Sequence, residues 1–159
     1  GTTRERRLGP HILYFAKGSL YLVAEDLDDK AVKIFSVPRF VAATMTDVAY
    51  DRDPVDPEQY FASSFGIFHA VSTVSVAIEF HPPVAAFVQE RRWHKSQTVI
   101  NRSDGIVEVR FEVAVTPELV QWVLGFGPSA RILEPQILID QVLAQAQGIA
   151  KSYAKPSAA

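Results

Sequence analysis

The stretch Thr73-Val74-Ser75-Val76-Ala77-Ile78-Glu79-Phe80 decides how the larger half of this chain folds. Its large apolar residues fall on every second position, so Val74, Val76, Ile78 and Phe80 share one side of an extended strand. Pro82-Pro83 comes next. A proline ring presets the backbone for a first helical turn, and Val84, Phe87 and Val88 form a stripe behind it. Gln97 to Arg102 and Ile106 to Val115 read as a hairpin across Ser103-Asp104-Gly105. In its second strand Val107, Val109, Phe111, Val113 and Val115 point one way, and Glu108, Arg110 and Glu112 the other. Thr116 suits an N-cap and Pro117 the first position of a helix to about Leu124, which Gly125-Phe126-Gly127-Pro128 stops. Ala130 to Leu133 is a short strand. Pro135 opens a long helix with Leu138, Val142, Ala146, Ile149 and Tyr153 on one face.

The resulting order, β-α-β-β-α-β and a final helix, is the split βαβ or ferredoxin-like order. It is expected over residues 71–155. Upstream the elements are shorter. His11 to Phe15 and Leu20 to Ala24 are strands joined across Ala16-Lys17-Gly18-Ser19. Asp26 to Lys30 is a polar turn, and Ala31 to Phe35 and Arg39 to Thr46 are two further strands separated at Pro38. Short strands at this spacing predict a small SH3-like or Sm-like β-barrel over residues 1–49. So few residues are too little for a closed barrel alone, so it is expected either to borrow a strand from sequence upstream of residue 1 or to pack on the second segment. Residues 50–70 form a connector rich in Asp and Pro, with a short helix from Glu58 to Ser63 ended by Gly66. The fold class is α+β.

Composition removes several functions. There is no cysteine, so no disulfide framework and no thiolate chemistry. No apolar run approaches the roughly 18 residues of a membrane helix, and Gly1 to Arg7 is not a signal peptide. A cytoplasmic protein is expected. His11, His69, His81 and His94 have no ligand partners at metal-binding spacing, so no metal or cofactor is expected. No serine stands in a Gly-x-Ser-x-Gly turn and no general base has an identifiable partner, which argues against an enzyme. The net charge is −2, yet residues 1–39 hold seven Lys/Arg against five Asp/Glu while the remainder holds nine against thirteen. The first segment is therefore the one suited to an anion. Arg91-Arg92-Trp93-His94-Lys95 is a basic run at a helix end. It reads either as compensation of the helix dipole or as an anion or nucleic-acid contact through charge and stacking.

Gly18-Ser19-Leu20-Tyr21-Leu22-Val23-Ala24 resembles the signature of WYL domains, with Leu20 where the family has Trp. Arg7-Leu8-Gly9-Pro10-His11-Ile12-Leu13 upstream is similar to the family's strand-entry pattern of an Arg, a Pro and then an apolar pair. Lys33-Ile34-Phe35-Ser36-Val37-Pro38-Arg39-Phe40 downstream is similar to its Arg-x-Phe-x-Leu-Asp-Arg-Ile. Further on, Phe65-Gly66-Ile67, Ser96-Gln97, Asp104-Gly105, Glu118 to Leu124, Gly127 and Leu133-Glu134-Pro135 resemble the C-terminal extension that follows WYL domains. The resemblance implies a bacterial transcription regulator, homodimeric, whose helix-turn-helix domain precedes residue 1 and contacts operator DNA. It implies that the barrel binds an anionic effector such as single-stranded DNA. Tyr21 would stack a base, Arg39, Arg7 and Lys33 would hold phosphates, and His11 belongs to the same ligand-binding set. The other expectation is a module that only dimerises, through the helix from Pro135 to Tyr153.

Overall fold

A computed structural model describes residues 2–16, 18–51, 55–61, 63–66 and 72–154. The chain divides into two compact units, Gly1–Ala62 and Ser63–Ala159. The regular elements are strands and helices mixed, with two antiparallel sheets of three and four strands. No helix among the described residues is long and apolar enough to cross a membrane.

The first unit is a meander of β1 (Leu8–Ala16), β2 (Ser19–Asp26) and β3 (Ala31–Ser36), paired in that order. Ala16 faces Ser19, and Gly18 closes the turn at φ 74°, a left-handed conformation costly for other residues. The acidic turn is tied by its own side chains. Asp26 accepts the Asp28 amide at 3.3 Å and Asp29 accepts the Ala31 amide at 3.1 Å. A bulge between Pro10 and Ile12 leaves His11 without a cross-strand partner residue. Gly9 is bare for a reason: a Cβ there would lie 2.2 Å from the Tyr50 ring, whose hydroxyl donates to the Glu25 carboxylate.

The strand expected over Arg39 to Thr46 does not form. Val37–Arg39 makes a 3₁₀ turn closed by the Phe40 amide on the Val37 carbonyl at 2.9 Å. Pro38 has no N–H to give a ladder. Beyond it Val41, Met45 and Val48 are 82%, 97% and 81% exposed, so their apolar character finds no surface to pack on. Among the described residues the first unit is thus an open three-stranded sheet. The helix of the connector, α1 (Pro57–Tyr60), is a single turn, shorter than expected; Arg52, Asp53 and Pro54 lie outside the described residues.

The second unit has the element order read from the sequence: β4 (Val74–Phe80), α2 (Pro82–Gln89), β5 (Thr98–Asn101), β6 (Val107–Val113), α3 (Pro117–Leu124), β7 (Ala130–Glu134) and α4 (Gln136–Tyr153). The sheet order is β5-β6-β4-β7, every pair antiparallel. Val76 faces Phe111, Ile78 faces Val109 and Phe80 faces Val107, all on the inner side. They join Val88, Leu119, Val123 and Leu138 in one buried core. Thr116 caps α3, its hydroxyl accepting the Leu119 amide at 3.3 Å. Of the apolar stripe expected on α4 only Leu138 is buried. Ile149 and Tyr153 are 53% and 82% exposed.

Gly66 receives a side chain from across the unit. A Cβ at Gly66 would sit 2.2 Å from an oxygen of Glu118, a carboxylate in the first turn of α3 that is only 4% exposed. Gly148, inside α4, has nothing within 4 Å of a Cβ. Both tryptophans, Trp93 and Trp122, belong to the second unit, so tryptophan emission reports its unfolding. In urea titrations followed this way, Gly66→Ala should destabilise the unit by about 1–3 kcal/mol through overpacking. Gly148→Ala should stabilise it or leave it unchanged, by at most about 1 kcal/mol of helix propensity. Equal effects of the two substitutions would contradict the placement of Glu118 against Gly66.

Candidate ligand-binding surfaces

The residues with ligand-binding character fall at three places. The first is the end of the first sheet that holds the acidic turn. Lys33 and Asp26 lie on one face, because Lys33 pairs with Ala24 and Ala24 is two residues from Asp26 on β2. Asp26 is 1% exposed. Its carboxylate is held by Arg6 and, at 3.1 Å, by Lys33, whose ammonium also pairs with Asp29. Arg7 reaches Asp28 at 3.1 Å with most of its side chain in water. Two of the expected phosphate-binding cations are therefore already facing carboxylates. Arg6, which the sequence did not single out, reaches over the sheet, its guanidinium 6.0 Å from the Phe35 ring centre.

Burial by itself would raise the Asp26 pKa. The hydrogen bond from Lys33, then those from the Asp28 amide and Arg6, more than offset this and hold it below its ordinary value. Lys33 is pushed up, first by Asp29.

The second place is the opposite face and the opposite end of the same sheet. Tyr21 pairs with Tyr14 and Ser36, so its side chain emerges on the face that also carries Val23 and Glu25, away from Lys33. The 3₁₀ turn that follows Ser36 ends in Arg39, which is exposed and has no ion pair among the described residues. Tyr21 and Arg39 thus share one end of the sheet, whereas Arg7 and Lys33 share the other. His11, at the bulge, sits edge-on to Tyr50 with ring centres 6.1 Å apart, and both its ring nitrogens are buried without a hydrogen-bond partner among the described residues. The five candidates do not converge on a single pocket.

The third place is in the second unit, around the basic run. Helix α2 ends at Gln89 with Glu90 as its cap, so Arg91 to Lys95 stand beyond the helix rather than in its last turn. Gln97 clamps this loop: its amide oxygen accepts the Trp93 N–H at 2.7 Å and its amide nitrogen donates to the Arg91 carbonyl at 3.0 Å. Ser96 ties the loop to the neighbouring strand, accepting the Glu112 N–H at 2.9 Å. Trp93 donates its indole N–H to the Val88 carbonyl at 3.1 Å. The Arg91 guanidinium lies 3.9 Å over the Phe87 ring. Nothing in the spacing of Ser96-Gln97 betrayed this role; only the pairing of β5 with β6 brings Ser96 to Glu112.

The outer side of the second sheet is also charged. Arg102 bonds Glu79 and Glu108, both at 2.5 Å; Arg110 bonds Glu108 at 2.7 Å and Glu134 at 3.1 Å; Arg131 lies 3.8 Å from Glu79. Hydrogen bonds from Arg102 first, and then Arg110, hold Glu108 below the usual carboxylate range despite its burial. These cations and anions are matched, leaving little for a charged ligand. Among the described residues no group of three or more His, Asp or Glu is placed to hold a metal ion.

The model of the WCX domain matches residues 72–150, and that of the WYL domain matches residues 1–45. No curated protein matches the chain. Among solved structures, one similar chain is proteasome accessory factor B/C (PafBC) of Arthrobacter aurescens, 20% identical, with a TM-score of 0.44. The match covers 96% of this chain and 23% of that one, so the chain spans under a quarter of its length.

The Asp26 cluster carries a pH dependence whose sign is fixed. A lowered carboxylate contributes stability fully above its unfolded value, about 3.9, and loses it as pH falls through the lower folded value. A raised lysine contributes fully below about 10.4 and loses it as pH rises through the higher folded value. Hydrogen exchange of the β2 and β3 amides should therefore be slowest between about pH 4 and 10 once corrected for intrinsic rates. Asp26→Asn should speed exchange at neutral pH and remove the acid limb. An acid limb surviving in that variant would show that another group sets it.

Proposed function

With a WYL domain at residues 1–45 followed by a WCX domain at residues 72–150, the chain belongs to the WYL-domain family, and we propose that it is the effector-sensing and dimerising region of a bacterial transcription regulator. The order of these two domains is the observation that carries the reading. In it the protein is cytoplasmic and not an enzyme, and operator DNA is contacted by a helix-turn-helix domain elsewhere in the longer protein. The first sheet belongs to a small Sm-like or SH3-like barrel. The second unit is ferredoxin-like, an assignment supported by its antiparallel order β5-β6-β4-β7.

The effector is anionic, with single-stranded DNA the favoured candidate. It is received at the end of the sheet that Tyr21 and Arg39 share, because Arg39 is the family-matched cation left without a carboxylate among the described residues. Arg7, half-committed to Asp28 in water, is available to a strand that reaches the far end; Lys33 and His11 shape the sheet rather than meet the ligand. The Tyr21 ring would supply stacking and Arg39 a bidentate phosphate contact.

Dimerisation is the second part of the reading and rests on α4. Ile137 and Leu143, on the side of the helix that carries Asp140 and Lys151, are each more than half exposed, and a groove of about 290 Å³ lies between α3 and α4, lined by Val120, Leu124 and Ala144. The partner is a second copy. The two charged residues of α4, Asp140 and Lys151, stand near opposite ends, so antiparallel α4 helices would bring each against the other's opposite charge.

Titration of labelled single-stranded DNA at several salt concentrations tests the effector. Each phosphate contact should add about −0.7 to the log–log slope. Tyr21→Ala should weaken binding by about 1–3 kcal/mol, and Arg39→Ala should also flatten the slope. Unchanged binding in the double variant would sink the effector site. Light scattering tests the dimer: Lys151→Glu should dissociate it and Asp140→Lys in the same chain should restore it. A monomer at high micromolar concentration would refute dimerisation.

A further inference from the structure

Pairing sorts the cations of this chain into two kinds. Arg6, Arg7, Lys33, Arg102, Arg110 and Arg131 each meet a carboxylate. Arg91, Arg92 and Lys95 do not, among the described residues, and all three are exposed. They stand within five residues, with Glu90 the one acid adjoining them in sequence. No role in the effector site of the first unit uses them, and they lie just past the end of α2.

Their surroundings are built, not loose. Gln97 bonds both Trp93 and the Arg91 carbonyl, Arg92 donates to the Lys95 carbonyl at 2.8 Å, and His94 meets Ser96 at 2.7 Å. The Arg91 guanidinium carbon lies 3.9 Å over the Phe87 ring, itself 41% exposed, and 5.8 Å from the centre of the Trp93 ring, so the cation sits beside both aromatics. A guanidinium held over a ring can present its other side to a base, and the neighbouring point charges suit phosphates. Holding the loop in place beforehand removes part of the ordering cost of binding.

We infer that the Arg91–Lys95 loop is a second nucleic-acid contact, taking the sugar–phosphate backbone of a single strand with one base over Arg91. An acidic peptide would satisfy the charges but has no aromatic plane for the stacked guanidinium. A duplex would offer phosphates with its bases closed. The inference stands apart from the Tyr21–Arg39 site, since it rests on residues of the other unit.

The test is fluorescence anisotropy of a labelled oligothymidylate of ~15 nucleotides with the whole chain, between about 50 and 200 mM salt. The variants are Arg91→Ala/Arg92→Ala/Lys95→Ala and, separately, Tyr21→Ala/Arg39→Ala. The loop variant should bind at least tenfold more weakly at low salt, with a log–log slope less negative by about 2. This loss should appear in the Tyr21/Arg39 background as well, which separates it from any failure of the first site. Unlabelled single strand should compete better than duplex or polyglutamate of equal charge. Lys95→Glu, at an exposed position, replaces the triple variant if that does not fold, and should also weaken binding and flatten the slope. An unchanged slope in the loop variants, equal competition by polyglutamate, or no binding at low salt would each overturn the inference.

Discussion

The second unit is organised by a single constraint: where Ala77 and Glu79 of β4 and Glu108 of β6 stand, its two central strands leave water on both sides. On β4 the inner residues Val76, Ile78 and Phe80 are fully buried, and so is Ala77 on the outer side. That leaves Glu79 and Glu108, a cross-strand pair at 6% and 4% exposure, as like charges side by side away from solvent. Such a pair is unfavourable alone. Arg102 spans both carboxylates from the hairpin turn, and Arg110 and Arg131 complete the balance. The hairpin position of Arg102 and the register that sets Arg131 opposite Glu79 both place cations where the two glutamates sit. The helices cover the inner face, and the arginine stems cover the outer one.

What the sequence revealed follows from how local each cause is. Alternation at Thr73 to Phe80 and at Val107 to Val113, the cap at Thr116 and the stops at Gly125 and Gly127 are decided within a few residues, and all appear in the structure. The stretch Arg39 to Thr46 failed because its apolar letters satisfy a strand pattern while Pro38 and the lack of a neighbouring strand deny it a ladder. Glycine positions were visible as letters but not as reasons. Gly9 yields to Tyr50 and Gly66 to Glu118, and both partners are distant in sequence.

The candidate surfaces show the same division. Counting charges over residues 1–39 suggested an anion site, but a count does not say which cations are already engaged. The acidic turn engages Lys33, Arg6 and, in part, Arg7, and strand alternation sends Tyr21 to the other face. The basic run from Arg91 had looked equally suited to a helix end. Its residues follow the helix instead of closing it, in a loop that Gln97, two residues past its last member, holds together.

One feature of α4 has a bearing on the energetics of the whole chain. From Leu143 to Tyr153 every residue of the helix is exposed, so its outer three turns are held by backbone hydrogen bonds and intrinsic propensity with little tertiary support. Short helices of that kind are marginal in water. The C-terminal turns therefore form a separate opening unit, with a free energy of its own well below that of the core around Leu138. The chain has not one stability but at least two, and the smaller belongs to a segment that is exposed along its whole length.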